Sequence, residues 1–206
     1  MMRSIKLGFL ASGRGTNMQS IIDACNDGRL NAVPAVVISN NAGSMALERA
    51  RSEQIPAFHL SSRLFTDAGE LDQHIAETLM QHGVSLVILA GYMKKLGPRT
   101  LAAYAGRIIN VHPALLPKFG GRGMYGDNIH RAVLAAGETE TGVTIHLVEE
   151  NYDTGQILAQ RIVKVEEGDT VETLAARVLA VEHELFVETI GKILEGDIKL
   201  PENVRS

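Results

Sequence analysis

Several residue types are scarce in this chain of 206 residues, and each scarcity excludes a class of protein. There is one cysteine, Cys25, so no disulfide can form within the chain, as is typical of a reducing compartment. Cys25 lies in an apolar helical pattern, which favours core packing over a reactive thiol. No apolar run reaches the roughly 18 residues that a membrane span requires. We therefore predict a cytoplasmic protein without a membrane segment.

Positive charge and aromatic residues are also scarce. The 20 Lys and Arg residues are outnumbered by 24 Asp and Glu residues, for a formal net charge of −4. A general nucleic-acid-binding protein carries a basic surface, so we predict no nucleic-acid partner. A small phosphorylated ligand stays compatible with this charge, because it needs only a local group of donors. Aromatic residues make up 4% and indicate no oligomer interface, so a monomer and a homodimer both stay open.

Predicted strands alternate with predicted helices over most of the chain. Continuous apolar runs such as AVVIS and LVILA indicate strands that are buried on both faces. The predicted strands cover residues 6–11, 35–39, 57–60, 86–90, 107–111, 143–148 and 157–165, and the predicted helices cover residues 18–26, 44–52, 68–82, 99–104, 128–136 and 171–194. This alternation predicts an α/β fold, with a mostly parallel sheet and helices on both faces. A short loop around Asp153 joins the last two strands, which indicates an antiparallel edge region.

A glycine-rich segment, ASGRGTNMQ at residues 11–19, joins the first predicted strand to the first predicted helix. Gly13 and Gly15 let the backbone approach a ligand closely, and free amides at a helix start favour an anion such as phosphate. Ser12, Thr16 and Asn17 add side-chain donors. The spacing matches neither a dinucleotide-binding fingerprint nor a P-loop. These residues alone leave phosphate binding and an ordinary capped turn equally open.

The stretch IINVHPALLPKFGG, residues 108–121, ends a strand with a carboxamide and an imidazole. Residues two apart in a strand face the same side, so Asn110 and His112 share a face at the carboxyl end, where open α/β sheets bind ligands. Pro113 biases His112 toward an extended backbone. An amide N–H and an imidazolium N–H together can stabilise an oxyanion. The alternative is a structural strand end with a hydrogen-bonded histidine.

Three other positions are weaker candidates. Asp153 either orients His112 and raises its pKa, or forms an ordinary turn. His146 alternates with Thr144 along a strand, and it either lines a site or fills the core. Adjacent side chains diverge on a helix, so the run of residues 182–184, Glu-His-Glu, does not predict a metal site.

Four motifs occur together in a characteristic order and spacing: SGRGTN at residues 12–17, LAGYMKKL at 89–96, NVHPALLPKF at 110–119 and YDTGQIL at 152–158. Over nearly the whole chain they resemble the phosphoribosylglycinamide formyltransferase family, folate-dependent enzymes of purine biosynthesis. The resemblance implies one formyltransferase domain over residues 1–206. Residues from about 1 to 105 would form a Rossmann-like, phosphate-binding half, and residues from about 106 to 206 a folate-binding and catalytic half.

The resemblance also implies a reaction. The formyl group of the co-substrate 10-formyltetrahydrofolate is transferred to the amine of 5-phosphoribosylglycinamide. N-formylglycinamide ribonucleotide and tetrahydrofolate are the products, and no metal takes part. Asn110 and a protonated His112, kept charged by Asp153, are expected to stabilise the oxyanion.

The resemblance assigns roles to individual residues. The implied catalytic residues, which we call the site trio, are Asn110, His112 and Asp153. The implied substrate-binding residues are Gly13, Gly15, Thr16, Asn17 and Glu182, of which Glu182 meets the glycinamide portion. The implied folate-binding residues are Arg63, Met93, Lys94, Lys95, Leu96, Asn110, Glu149, Glu150, Asn151, Tyr152 and Asp153. The glycine-rich residues 120–126 depart from the family pattern, so their contacts stay open.

Three other functions are alternatives. A methionyl-tRNA formyltransferase carries a basic tRNA-binding domain, and a formyltetrahydrofolate hydrolase carries a regulatory domain before the first strand. We expect neither, because the chain is acidic and nothing precedes its first predicted strand. A non-catalytic folate or nucleotide binder has no need of the site trio, so we expect an enzyme.

Overall fold

A computed structural model describes residues 5–65 and 67–201. Its strands are β1 (Ile5–Leu10), β2 (Ala32–Ser39), β3 (Ala57–His59), β4 (Leu86–Leu89), β5 (Ile108–His112), β6 (Glu140–Leu147) and β7 (Ile157–Lys164). Its helices are α1 (Thr16–Asn26), α2 (Met45–Ser52), α3 (Ala68–Gln81), α4 (Pro98–Ala103), α5 (Asp127–Ala135) and α6 (Val171–Glu195). None of these helices is long and apolar enough to cross a membrane.

The strands form one seven-stranded sheet in the order β3-β2-β1-β4-β5-β6-β7. The first five strands in this order are parallel, whereas β6 pairs antiparallel with both β5 and β7. The predicted α/β class and the antiparallel edge region are therefore confirmed. The sheet runs without a break through both predicted halves of the chain.

Each predicted strand and helix is present, but several begin or end elsewhere. β2 begins at residue 32 rather than 35, and β6 begins at residue 140 rather than 143. α1 begins at Thr16 rather than at residue 18, so Thr16 and Asn17 lie in its first turn and not in the preceding loop. β5 extends to His112, which keeps that side chain on the rigid strand.

Apolar clusters pack on both faces of the sheet. Leu7 and Phe9 of β1 enter the cluster that α1, α5 and α6 cover, whereas Leu10 enters the cluster that α3 and α4 cover. Full burial of one such side chain contributes about 1.5–3 kcal/mol to stability. Because both faces are packed, the strand ends form a rigid base for a site.

The strand order reverses between β1 and β4, so the loops after these two strands diverge and leave a crevice. Ser12, in the loop after β1, forms hydrogen bonds with the loops after β2 and β4. Its Oγ donates to Oδ1 of Asn40 and accepts from the N–H of Met93, 2.8 Å away. The loops after β1, β2 and β4 are thereby held in one arrangement.

Candidate active site

A cavity of about 420 Å³ opens at the carboxyl ends of β4 and β5. The site trio lines it together with Asn17 and Glu182. Most residues of the implied folate-binding set line it as well: Met93, Lys94, Lys95, Leu96, Glu149, Glu150, Asn151 and Tyr152. The structure therefore brings the implied catalytic residues and parts of both implied substrate sites into one space.

The antiparallel pairing of β5 with β6 places four polar side chains on one face of the sheet. Asn110 lies opposite His146, and His112 lies opposite Thr144. Nδ2 of Asn110 lies 3.1 Å from Nε2 of His146, and Nδ1 of His146 lies 2.8 Å from the carbonyl oxygen of Leu147. A carbonyl oxygen only accepts, so Nδ1 of His146 carries a proton and donates it. In a neutral ring with the proton on Nδ1, the other nitrogen, Nε2, has a lone pair that accepts from Nδ2 of Asn110. The second Nδ2 hydrogen of Asn110 is then available to a ligand.

Hydrogen bonds fix the chain segment that follows His112. Oγ1 of Thr144 donates to the carbonyl of Ala114 at 2.6 Å and accepts from the N–H of Leu116 at 3.1 Å. Nε2 of Gln160 donates to the carbonyl of Leu116 at 3.0 Å. Side chains of β6 and β7 therefore hold the segment that follows β5 in place, and the prolines of this segment restrict its backbone further.

Asp153 reaches both histidines of the site. Its Oδ1 lies 3.6 Å from Nδ1 of His112 and 3.5 Å from Nε2 of His146, and its Oδ2 accepts from the N–H of Gly121 at 2.8 Å. Burial acts to raise the pKa of Asp153. The hydrogen bond from the Gly121 N–H and the neighbouring imidazoles outweigh burial and hold that pKa below its usual value. Asp153 is therefore ionised at neutral pH.

The surroundings of His112 favour its neutral imidazole in the protein alone. Burial lowers its pKa, and although Asp153 and the Phe119 carbonyl act in the opposite direction, the net shift is downward. This downward shift runs against the expectation that Asp153 keeps His112 charged. Nε2 of His112 lies 2.8 Å from the carbonyl oxygen of Phe119, so Nε2 carries the proton and Nδ1 carries the lone pair.

The start of α1 has the features of an anion site. Gly15 precedes the helix with φ +70°, and no side chain caps the first amides. A Cβ on Gly15 would lie 2.9 Å from Cα of Ala46, so this position needs glycine for space as well as for conformation. Asn17 lines the cavity, whereas Gly13, Gly15 and Thr16 precede it in the chain without lining the cavity.

Glu182 and Asn17 form a buried polar pair at one end of the cavity. Nδ2 of Asn17 donates to Oε2 of Glu182 at 2.6 Å. Glu182 is 8% exposed, and burial raises its pKa to about 7 against the opposing effect of the Asn17 hydrogen bond. Oδ1 of Asn17 is buried and has no partner among the residues that the structure describes. This end of the cavity therefore holds a carboxyl group that titrates near neutral pH.

Arg63 lies apart from the site trio. It is exposed and lines a second cavity of about 580 Å³, and Lys94 and Lys95 line both cavities. Within residues 5–65 and 67–201, no three His, Cys, Asp or Glu side chains are grouped to hold a metal ion. Cys25 packs against the main core cluster, as predicted, and burial together with Asp27 raises its pKa to about 11.

Three groups of the site were not assigned from sequence: the His146 ring, the Phe119 carbonyl and the Gly121 N–H. The sequence is compatible with His146 either lining the site or filling the core. The signal that identifies it is the register of β5 and β6, because His146 lies directly opposite Asn110. The two backbone groups carry no residue-type signal, and only the folded structure reveals them.

Comparison with known proteins agrees with this geometry. Residues 5–190 match the formyl transferase family. The chloroplastic phosphoribosylglycinamide formyltransferase of Arabidopsis thaliana is 43% identical over 203 residues, which are 98% of this chain and 69% of the relative. The phosphoribosylglycinamide formyltransferase of Haemophilus influenzae is 39% identical over 199 residues, which are 97% of this chain and 92% of the relative.

Solved structures lead to the same family. The crystal structure of glycinamide ribonucleotide transformylase 1 from Symbiobacterium toebii has a TM-score of 0.91 at 40% identity, and the match covers 98% of this chain and 93% of that chain. That of phosphoribosylglycinamide formyltransferase from Bacillus halodurans has a TM-score of 0.87 at 37% identity, covering 97% and 98%. The resemblance that the four motifs predict is confirmed. The chain belongs to the formyl transferase family.

Proposed function

We propose that this chain transfers the formyl group of 10-formyltetrahydrofolate to the amine of 5-phosphoribosylglycinamide in de novo purine biosynthesis. N-formylglycinamide ribonucleotide and tetrahydrofolate are the products. The observation that carries the proposal is the convergence of the site trio on one cavity between two implied substrate sites. The names of relatives that match nearly the whole chain support the same reaction. The cytoplasmic location, the lack of a nucleic-acid partner and the oligomeric state stay predictions.

The ribonucleotide binds at the end of the cavity that Asn17 and Glu182 form. Its phosphate accepts hydrogen bonds from the amides at the start of α1, beside Gly13, Gly15 and Thr16, where no side chain caps the helix. Glu182 then lies inside the cavity, where a carboxyl group can accept from the glycinamide portion. This arrangement directs the substrate amine toward β5.

The folate binds at the opposite end of the cavity. Its pterin ring lies between the loop of Met93, Lys94, Lys95 and Leu96 and the loop of Glu149, Glu150, Asn151, Tyr152 and Asp153. The adjoining second cavity is lined by Arg63, Lys94 and Lys95, which supply positive charge for the carboxylates of the folate's glutamate end. The formyl group is thereby placed beside Asn110 and His112.

Formyl transfer needs a donor at the carbonyl oxygen. When the amine nitrogen bonds to the formyl carbon, that oxygen becomes negative in a tetrahedral intermediate. The second Nδ2 hydrogen of Asn110, which His146 does not take, is available to this oxygen. Removal of one such donor typically lowers turnover about 100- to 1,000-fold.

Formyl transfer also needs a path for the amine proton. The lone pair on Nδ1 of neutral His112 accepts this proton, and the resulting imidazolium is stabilised by Asp153, whose Oδ1 lies 3.6 Å from Nδ1. The proton then passes to the folate nitrogen as the bond between that nitrogen and the formyl carbon breaks. General acid–base catalysis of this kind contributes about 100- to 10,000-fold. Placing amine and formyl group together contributes the rest.

The test is turnover by Asn110→Ala and His112→Ala. We expect each variant to lose at least about 100-fold in kcat and to keep the unfolding midpoint of the parent to within a few degrees. His74→Ala is the control, because His74 is an exposed histidine on α3. Near-parent turnover by either site variant would contradict the assigned roles.

A further inference from the structure

Residues 119–121, here called the brace, form hydrogen bonds with two members of the site trio through backbone atoms. The carbonyl oxygen of Phe119 accepts from Nε2 of His112 at 2.8 Å. The N–H of Gly121 donates to Oδ2 of Asp153 at 2.8 Å. One short segment therefore contacts both the histidine and the carboxylate.

The brace has a backbone conformation that few residues adopt. Phe119 has φ +55° and Gly121 has φ +94°. Positive φ is strained for a bulky residue such as phenylalanine, and such strain persists only where the surroundings impose it. Strained backbone of this kind clusters at functional sites, so the contacts that impose it here are informative.

Packing on both sides imposes the conformation of the brace. The Phe119 ring packs against the main core cluster. Gly120 lies so close to its neighbours that a Cβ there would be 2.6 Å from Cδ2 of Leu116 and 3.4 Å from Cβ of Asp153. The direction of the Phe119 carbonyl is therefore set by the fold and not by a flexible loop.

The Phe119 carbonyl decides which ring nitrogen of His112 can act as a base. A carbonyl cannot donate, so its 2.8 Å contact requires the proton on Nε2. In the other neutral tautomer, Nδ1 would carry a proton directed at Asp153 and would have no lone pair for the substrate amine. The tautomer of a catalytic histidine is commonly set by the hydrogen bond that its other nitrogen makes.

We propose that the brace is a positioning element for formyl transfer. The Phe119 carbonyl holds His112 in the Nε2–H tautomer, so that Nδ1 can accept the amine proton, and the Gly121 N–H directs Asp153 toward that nitrogen. This inference rests on the proposed function. It adds two backbone groups that act only through His112 and Asp153.

Two substitutions of one residue separate backbone positioning from side-chain packing. Phe119→Asn and Phe119→Val both remove the phenyl ring, but asparagine tolerates positive φ whereas β-branched valine does not. We expect kcat of the valine variant to be about 10- to 100-fold below that of the asparagine variant, with KM for both substrates changed by less than about threefold. Equal kcat values, or a higher kcat for valine, would overturn the proposal, because packing alone favours the apolar residue.

A second pair covers the case in which the valine variant does not fold. Gly121→Ala and Gly168→Ala introduce a Cβ at φ +94° and +83°, and in both positions the Cβ has open space. Only Gly121 contacts the site trio. We expect Gly121→Ala to lower kcat at least about tenfold and Gly168→Ala to leave kcat unchanged. Equal effects would mean that general backbone strain, and not positioning of Asp153, explains the loss.

A spectroscopic readout is independent of turnover. Nitrogen-15 NMR of histidine-labelled protein near pH 8, with His112→Gln used for assignment, reports the tautomer of His112. We expect the Nε2–H form in the parent and in Phe119→Asn, and a mixture of both forms in Phe119→Val. An Nδ1–H form in the parent would overturn the inference even if formyl transfer is confirmed. If the parent has the Nε2–H form but no transferase activity, the result would instead contradict the proposed function.

Discussion

Glu182→Gln is predicted to stabilise the protein and weaken its activity at the same time. The Glu182 carboxyl is buried at the substrate end of the cavity, and its pKa is raised from 4.5 to about 7. Ionised Glu182 has one hydrogen bond from Asn17, and Oδ1 of Asn17 has no partner among the described residues. A glutamine keeps the hydrogen bond at its oxygen and offers an N–H to that orphan oxygen.

The sign and size of the stability change follow from the pKa. A carboxyl group whose pKa is raised on folding costs no stability below its unfolded pKa. The cost grows as the pH rises from the unfolded pKa to the folded pKa, and it is constant above the folded pKa. For Glu182 the window is 4.5 to about 7. Each pKa unit corresponds to about 1.4 kcal/mol, so ionised Glu182 destabilises the fold by up to about 3 kcal/mol above this window. Glutamine does not ionise, so it removes this cost.

Urea unfolding at pH 5 and pH 8 is the assay. We expect Glu182→Gln to be more stable than the parent by roughly 2–3 kcal/mol at pH 8 and by a much smaller amount at pH 5. Glu184→Gln is the matched control on α6, because Glu184 is exposed, and a change within about 0.5 kcal/mol is expected at both pH values. Glu182→Gln should also raise KM for the ribonucleotide. A stability difference that does not depend on pH would refute the reasoning.

Three further outcomes are expected. A Cβ on Gly155 would lie 1.9 Å from the Leu147 carbonyl oxygen. Gly155→Ala should therefore lower the thermal midpoint and kcat far more than Gly168→Ala. Calorimetry that finds equal midpoints for the two variants would contradict this. Asp153→Asn removes the charge that stabilises protonated His112, so steady-state kinetics should give a kcat at least about 100-fold lower; a kcat near that of the parent would exclude the role. Burial raises the pKa of the Cys25 thiol to about 11, so an aromatic disulfide reagent should modify native protein at least about tenfold more slowly than unfolded protein. Equal modification rates would show an accessible thiolate.

Patterns that depend on local sequence were predictable in this chain. Short apolar runs rich in β-branched residues, alternating with helix-length segments, are typical of strands that are buried on both faces of a parallel sheet. The NVHP stretch places Asn110 and His112 on one face, since side chains alternate along a strand. Element ends were less certain, as with α1, where Thr16 and Asn17 joined the helix and not the loop.

Features that depend on distant parts of the chain were not predictable. The position of His146 beside Asn110 follows from the pairing of β5 with β6, which a residue pattern alone does not specify. The pKa of His112 was expected to rise because Asp153 is negative, but burial has the larger effect and lowers it. The Phe119 carbonyl and Gly121 N–H belong to the backbone, so their roles have no signature in residue identity.

The most direct test of the central claim is a turnover assay. Purified protein is mixed with 10-formyltetrahydrofolate, and deformylation is followed spectroscopically with and without 5-phosphoribosylglycinamide. We predict deformylation that depends strictly on the ribonucleotide and yields one formylated ribonucleotide for each tetrahydrofolate released. Deformylation at the same rate without the ribonucleotide would identify a hydrolase and would contradict formyl transfer, as would the absence of deformylation with both substrates present.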